Sequence, residues 1–172
     1  LLGLEADYIP EISYPLNIKK AHQLDYVIGS VHFLGKTQAG IFWAIDGDLE
    51  EFTDGVSFSF QGNYQSAVKK YYSLVREMIK ESPPDIIGHL DLIKKNNKNN
   101  QFFNENEQWY REEIFSTLNE ITKTNCILEV NTGGLNRKKT EDFYPSQWII
   151  IEAYKMGIPL LINSDAHNPE HL

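Results

Sequence analysis

Five short apolar segments recur along the chain: Leu1–Leu4, Tyr26–Val31, Asp85–Gly88, Cys126–Val130 and Pro159–Ile162. None alternates strictly between apolar and polar positions, which is the pattern of parallel strands covered on both faces. Between them the period lengthens to three and four residues. Residues 64–81 set Val68, Tyr72, Val75 and Ile79 on one helical face, with Asn63 as the N-cap. Residues 105–123 do the same with Tyr110, Ile114, Leu118 and Ile121. A third helix is predicted over 145–156, with Pro145 in its first turn and Gly157 as its stop. A shorter one is predicted over 15–23, behind Pro15. Strands alternating with helices predict a parallel α/β architecture. Two stretches break the rhythm. Residues 35–62 are rich in glycine and aromatics and have no clear period, and residues 94–104 read "KKNNKNNQFFN". Both are predicted as long loops on one face, the second mobile.

The composition narrows the partners. A chain of 172 residues with 41% hydrophobic content can build a core of its own, and a single domain over 1–172 is expected. The net charge of −8 argues against nucleic acid or an anionic membrane as partner. It leaves room for a small anionic substrate, because local cations can reverse the sign inside a pocket. Cys126 is the single cysteine, so no intrachain disulfide forms, and a reducing, cytoplasmic location is expected. No apolar run is long enough to span a bilayer.

Each apolar segment runs into a residue able to ligate a metal. The first leads to Glu5, the second to His32, the third to His89 and Asp91, and the fifth to Asp165 and His167. The fourth contains Glu129 and ends at Asn131. In parallel α/β folds the carboxyl ends of the strands converge on one face, where active sites are built. Glu5, His32, His89, Asp165 and His167 are therefore expected at one mouth. Imidazole and carboxylate are ligands for zinc, iron or manganese. Three histidines with two acids exceed the needs of one ion, and two ions about 3.5–4 Å apart can clamp a phosphoryl group. Gly29 and Gly88, just before two of the histidines, are expected to let the backbone approach a crowded centre. His22 and His171 are read as structural or solvated. Phe42, Trp43, Phe58 and Phe60 either cover the far end of a substrate or pack over the mouth.

The blocks "GLEADYIP", "LDYVIGSVHFL", "DIIGHLDLIKK", "LEVNTGGL" and "LLINSDAH", in this order, resemble the PHP (polymerase and histidinol phosphatase) superfamily. "WAIDG" and the "YPS" before residue 147 resemble its histidinol-phosphatase branch. The resemblance implies a distorted (β/α)7 TIM-like barrel with up to three divalent ions, zinc, manganese or iron, at its carboxyl face. It implies that Glu5 bridges two ions, that His32 and His167 bind one of them, that Asp165 binds the other, and that His89 belongs to the third. Glu5 and Asp165 would then be the catalytic residues. The implied reaction is hydrolysis of L-histidinol phosphate to L-histidinol and phosphate, in histidine biosynthesis. Arg137, after "NTGGLN", is the candidate for holding the phosphate, as its fork matches phosphate oxygens; its bland alternative is a solvated loop charge.

The family's opening His-x-His motif has no counterpart here. A barrel incomplete at both ends is therefore expected, in a piece of a longer protein. Exposed sheet edges would favour pairing with a second copy. Three readings stay open: the histidinol phosphatase, a phosphoesterase for another small phosphate ester, and a module whose metal site is degenerate. Asp91 and solvent are equal candidates for protonating the leaving group.

Overall fold

The computed structural model describes residues 1–136, 140 and 142–169. In chain order the elements are β1 (Gly3–Asp7), α1 (Pro15–Ala21), β2 (Tyr26–Ser30), β3 (Phe33–Lys36), β4 (Phe42–Ala44), α2 (Leu49–Phe60), α3 (Tyr64–Glu81) and β5 (Ile86–Ile87). Two short 3-10 turns follow, Leu92–Lys94 and Lys98–Asn100. The chain continues with α4 (Gln108–Ile121), β6 (Ile127–Asn131), α5 (Gly133–Asn136), α6 (Gln147–Lys155) and β7 (Leu160–Asn163).

The five apolar segments form one parallel sheet in the order β1-β2-β5-β6-β7, which is also their order in the chain. A doubly wound sheet reverses direction at a switch point. This one never does, which is the winding of a distorted TIM-like barrel, here seen as an open arc. Full cover on both faces holds for the middle of the arc only: Ile86, Ile87 and Leu128 are buried, whereas Leu4 at one edge and Leu161 and Ile162 at the other are exposed.

The helical stripes pack as the periodicity requires. Val68, Tyr72, Val75 and Ile79 of α3 are buried, as are Tyr110, Ile114, Leu118 and Ile121 of α4. Each such side chain contributes roughly 1.5–3 kcal/mol by leaving water. The two helices are also joined by polar contacts: the Tyr72 and Tyr110 hydroxyls lie 3.0 Å apart, and Arg76 pairs with Glu113 at 2.9 Å. Asn63 caps α3, its side chain accepting from the Ser66 N–H.

Two expectations need correction. Residues 35–62 are not a loop. They hold the antiparallel hairpin β3–β4 and the 12-residue helix α2. Asp48 caps α2 by accepting from the Glu51 N–H at 2.9 Å, and Phe52 and Val56 are buried. Gly55 is required there, because a Cβ would stand 2.2 Å from the Trp43 ring. Residues 94–104 are the loop expected, organised by buried Asn97, which accepts from the Phe102 and Phe103 N–H groups and donates to the Phe103 carbonyl. Pro145 lies before the N-cap of α6, Ser146, and so outside the helix's first turn.

Candidate metal centre

Glu5 is not at the end of its strand. It sits in the middle of β1, paired in register with Ile28, and Asp7 pairs with Ser30. Alternation puts Glu5 and Asp7 on the same face of the strand. Ser30 closes β2, and its hydroxyl donates to Glu5 Oε1 at 2.7 Å. His32 follows β2 by two residues and His89 follows β5 by two. His89 Nε2 lies 3.0 Å from Glu5 Oε1, His32 Nε2 lies 3.8 Å from the same oxygen, and the two imidazole rings are 4.9 Å apart.

Gly88 makes this approach of β5 to β2 feasible. A Cβ there would stand 2.4 Å from Ser30 Oγ, the atom that donates to Glu5. Gly29 does something else. Its missing Cβ leaves room for Pro84 and Met78, so it serves packing against α3 rather than the centre.

The charges in this corner sustain one another. Burial opposes ionisation of Glu5, but the hydrogen bonds from His89 and Ser30 and the charges of both histidines hold it down to about 2. Burial likewise opposes a charged His89, yet Glu5, Glu129 and Asp165 push its imidazole up to about 9. The chain alone thus meets the Glu5 carboxylate with a proton on His89. A divalent ion can replace that proton: one ligand atom from each of Glu5, His32 and His89 lies within 4.8 Å of the others. His89 Nδ1 is buried without a hydrogen-bond partner, as befits an imidazole committed to a further ligand or contact. Two imidazoles and a carboxylate suit zinc, manganese or iron.

The residues that orient these ligands were only partly visible in the sequence. Asp7 was missed: its Oδ1 lies 2.5 Å from His32 Nδ1, fixing the ring from behind as carboxylates do for metal-binding histidines. The signal was its spacing, two residues after Glu5 on one strand. Glu129, noted as a polar residue in an apolar run, is buried on β6 with its carboxylate on the His89 N–H at 2.7 Å.

Asp165 and His167 follow β7 and line the same cavity of about 570 Å³ as the Glu5 corner. Asp165 has a left-handed backbone, φ 48°, a conformation that aspartate tolerates better than most residues. His167 is more exposed, its Nδ1 2.9 Å from the Asp165 carbonyl oxygen and 3.7 Å from the Asp165 carboxylate. The structure therefore groups His32 with His89 and Glu5, and His167 with Asp165.

Other candidates lie elsewhere. Arg137 and His171 fall outside the described residues. His22 is exposed at the end of α1, as expected. Asp91 cannot reach a substrate: it is fully buried, paired with Lys94 at 2.9 Å and bonded by the N–H and hydroxyl of Ser146. Trp43 is core, with its indole N–H on Ser59, and Phe58 is exposed on α2; neither lines the cavity. Sequence reasoning also missed Lys95. Among the described residues it is the one lysine or arginine lining the cavity, and its ammonium donates to the carbonyls of Asp46 and Gly47. Its neighbour Lys94 is buried instead, against Asp91 and Ser146.

No helix among the described residues is long and apolar enough to cross a membrane. Residues 1–133 match the model of a family described as the PHP domain. A Deinococcus radiodurans protein named "Probable histidinol-phosphatase" is 32% identical over 171 residues, covering 98% of this chain and 57% of that protein. The histidinol-phosphatase of Bacillus subtilis is 30% identical over 170 residues, covering 96% of this chain and 62% of its own. A crystal structure from Listeria monocytogenes, provisionally described as a histidinol phosphatase, superposes with a TM-score of 0.81 at 26% identity. That superposition covers 96% of this chain and 63% of the Listeria chain. The chain thus spans about three-fifths of the length of these relatives.

Proposed function

The chain belongs to the PHP domain family, and on that premise we propose that it carries the centre of a metal-dependent phosphomonoesterase that hydrolyses L-histidinol phosphate to L-histidinol and phosphate. The observation that carries this reading is the convergence of Glu5, His32 and His89 within 4.8 Å at the wall of a cavity that Asp165 and His167 also line. The naming of the Bacillus subtilis relative supplies the substrate. The cavity, about 570 Å³, is of a size for a small phosphate ester. We place the activity in the cytoplasm on the strength of the single cysteine alone.

Divalent ions, when bound, supply Lewis-acid stabilisation of the charge that develops on a transferring phosphoryl group. The chain's residues do the rest. Glu5, His32 and His89 form the ligand set of one corner, with Asp7 fixing the His32 ring and Ser30 fixing the Glu5 carboxylate. Asp165 and His167 are the candidate ligands of the facing corner. Lys95 is assigned to the phosphate: four carboxylates, on Glu5, Asp7, Asp46 and Asp165, line the cavity, so a phosphate dianion needs a fixed cation there. As a point charge on a short leash of two carbonyls, Lys95 suits that task. Asp91 is fully buried and does not line the cavity, so it is not the leaving-group acid of this reading.

The test is phosphate release from L-histidinol phosphate by the protein loaded with Zn²⁺ or Mn²⁺. Release that depends on the ion and stops on chelation is expected. Release that ignores the chelator overturns the metal reading. Cleavage of other phosphomonoesters with L-histidinol phosphate left intact overturns the substrate and keeps the class.

A further inference from the structure

A buried carboxylate is expensive to hold, and Glu129 is one. It is 2% exposed on β6, and no lysine or arginine among the described residues pairs with it. Burying a charge is unfavourable unless hydrogen bonds and nearby positive charge offset it. Glu129 meets that cost with three donors. Oε2 accepts from the His89 backbone N–H at 2.7 Å and from Asn131 Nδ2 at 3.2 Å, and Oε1 accepts from Asn163 Nδ2 at 2.6 Å.

The three donors lie on three neighbouring segments. His89 follows β5, Asn131 ends β6 and Asn163 ends β7, in register with Asn131. Each donor leads on to something the site uses. The His89 N–H belongs to a candidate ligand. Asn163 accepts the Asp165 N–H through Oδ1 at 3.4 Å and the Thr132 N–H through its carbonyl at 2.9 Å. Asn131 Oδ1 accepts the Gly133 N–H at 2.9 Å, at the start of the α5 turn that borders the cavity.

We infer that Glu129 is the positioning residue of the centre: its buried carboxylate locks the His89 corner and the Asp165 turn to one another across three strands. The inference rests on the proposed metal reading but goes beyond it, since Glu129 does not line the cavity and touches no substrate. It explains why an acid stands in the run "CILEVN", where an aliphatic residue would complete the strand. An aliphatic side chain would leave the His89 N–H and the Asn163 amide buried without acceptors. It also explains the choice of acid over amide. Both oxygens accept, and a glutamine would turn its NH₂ against one of the donors, so it could hold His89 or Asn163 but not both.

The test is Glu129→Gln in the full chain, read without substrate by Zn²⁺ affinity in competition with a chelating dye and by amide hydrogen exchange. The expected result is a Zn²⁺ affinity lower by about tenfold or more, with faster exchange at the His89 or the Asp165 amide and cooperative unfolding retained. Unchanged exchange at both amides overturns the inference, as does unchanged Zn²⁺ affinity. Should Glu129→Gln not fold, Asn163→Ala keeps the carboxylate and cuts only the Asp165 arm. It should free the Asp165 amide, leave the His89 amide protected and weaken Zn²⁺ by a smaller factor; an unmoved Asp165 amide overturns the inference. Failure of the unsubstituted chain to bind Zn²⁺ sinks the metal reading instead, while the exchange measurement still decides whether Glu129 positions the two corners.

Discussion

The two corners of the centre are built differently. The Glu5–His32–His89 corner stands on three adjacent strands, and each candidate ligand has a partner behind it: Ser30 on Glu5, Asp7 on His32, Glu129 on the His89 backbone. The Asp165–His167 corner stands on a turn after β7, where the Asn163 side chain accepts the Asp165 N–H and the Asp165 carbonyl lies against His167 Nδ1. The first corner is held by sheet register, which allows no slippage without turning every side chain to the other face. The second includes the Asn163 side chain and a left-handed aspartate. Preorganisation on strands is the more exact way to place a ligand, and a turn at an edge leaves room for adjustment.

The sharpest way to break this contrast is at Glu5. Glu5→Gln should lower phosphate release by about 10³-fold or more, because it removes a charged ligand shared with both histidines. Zn²⁺ competition on the same variant should show that binding is lost with it. Asp7→Asn should cost about 10–100-fold in Zn²⁺ affinity, by freeing the His32 ring. Gly88→Ala tests the register directly. Its Cβ would displace Ser30 Oγ, so a loss of about 1–3 kcal/mol in denaturant unfolding is expected, together with weaker Zn²⁺ binding. At the turn, His167→Ala should cost only about tenfold in phosphate release, with unfolding unchanged; a loss as large as that at Glu5 would erase the distinction between the corners.

The pH response of the chelated chain, read by thermal unfolding, probes the first corner alone. The folded Glu5 pKa is depressed from 4.5 to about 2, so its contribution is present above pH 4.5 and is lost as the pH falls toward 2. The folded His89 pKa is raised from 6.5 to about 9, so its contribution is full below pH 6.5 and is lost as the pH rises through 9. A stability plateau between pH 4.5 and 6.5, falling on both sides, is expected. A curve flat through pH 9 would show that His89 is not charged against Glu5.

What the chain discloses before folding depends on how strongly its period speaks. Residues 64–81 have a clean apolar stripe and an asparagine cap, and α3 forms over those residues. Helix α2 was hidden because "LEEFTDGVSFSF" carries Gly55, a β-branched valine and threonine, and two serines, all poor helix formers. Its start was nonetheless written in Asp48, followed by Glu50 and Glu51, a capping acid before an acidic first turn. Glu5, His32 and His89 were legible because a ligating residue after an apolar run is conspicuous. Asp7, Lys95 and the linking role of Glu129 were not, since each acts through a neighbour distant in sequence: residues 32, 46–47, and 89 with 163. The fates of Lys94 and Lys95 could not be told apart by type, and only the turn at 92–94 sends one inward and the other to the cavity.

The unbroken strand order has a consequence for how the molecule comes into being. Every new strand adds to the outer edge of those already emitted, so none must be threaded between two that have paired. A ribosome releases the N-terminal end first, so the segments carrying Glu5, Ser30 and His32 are emitted before His89, and His89 before the β7 turn.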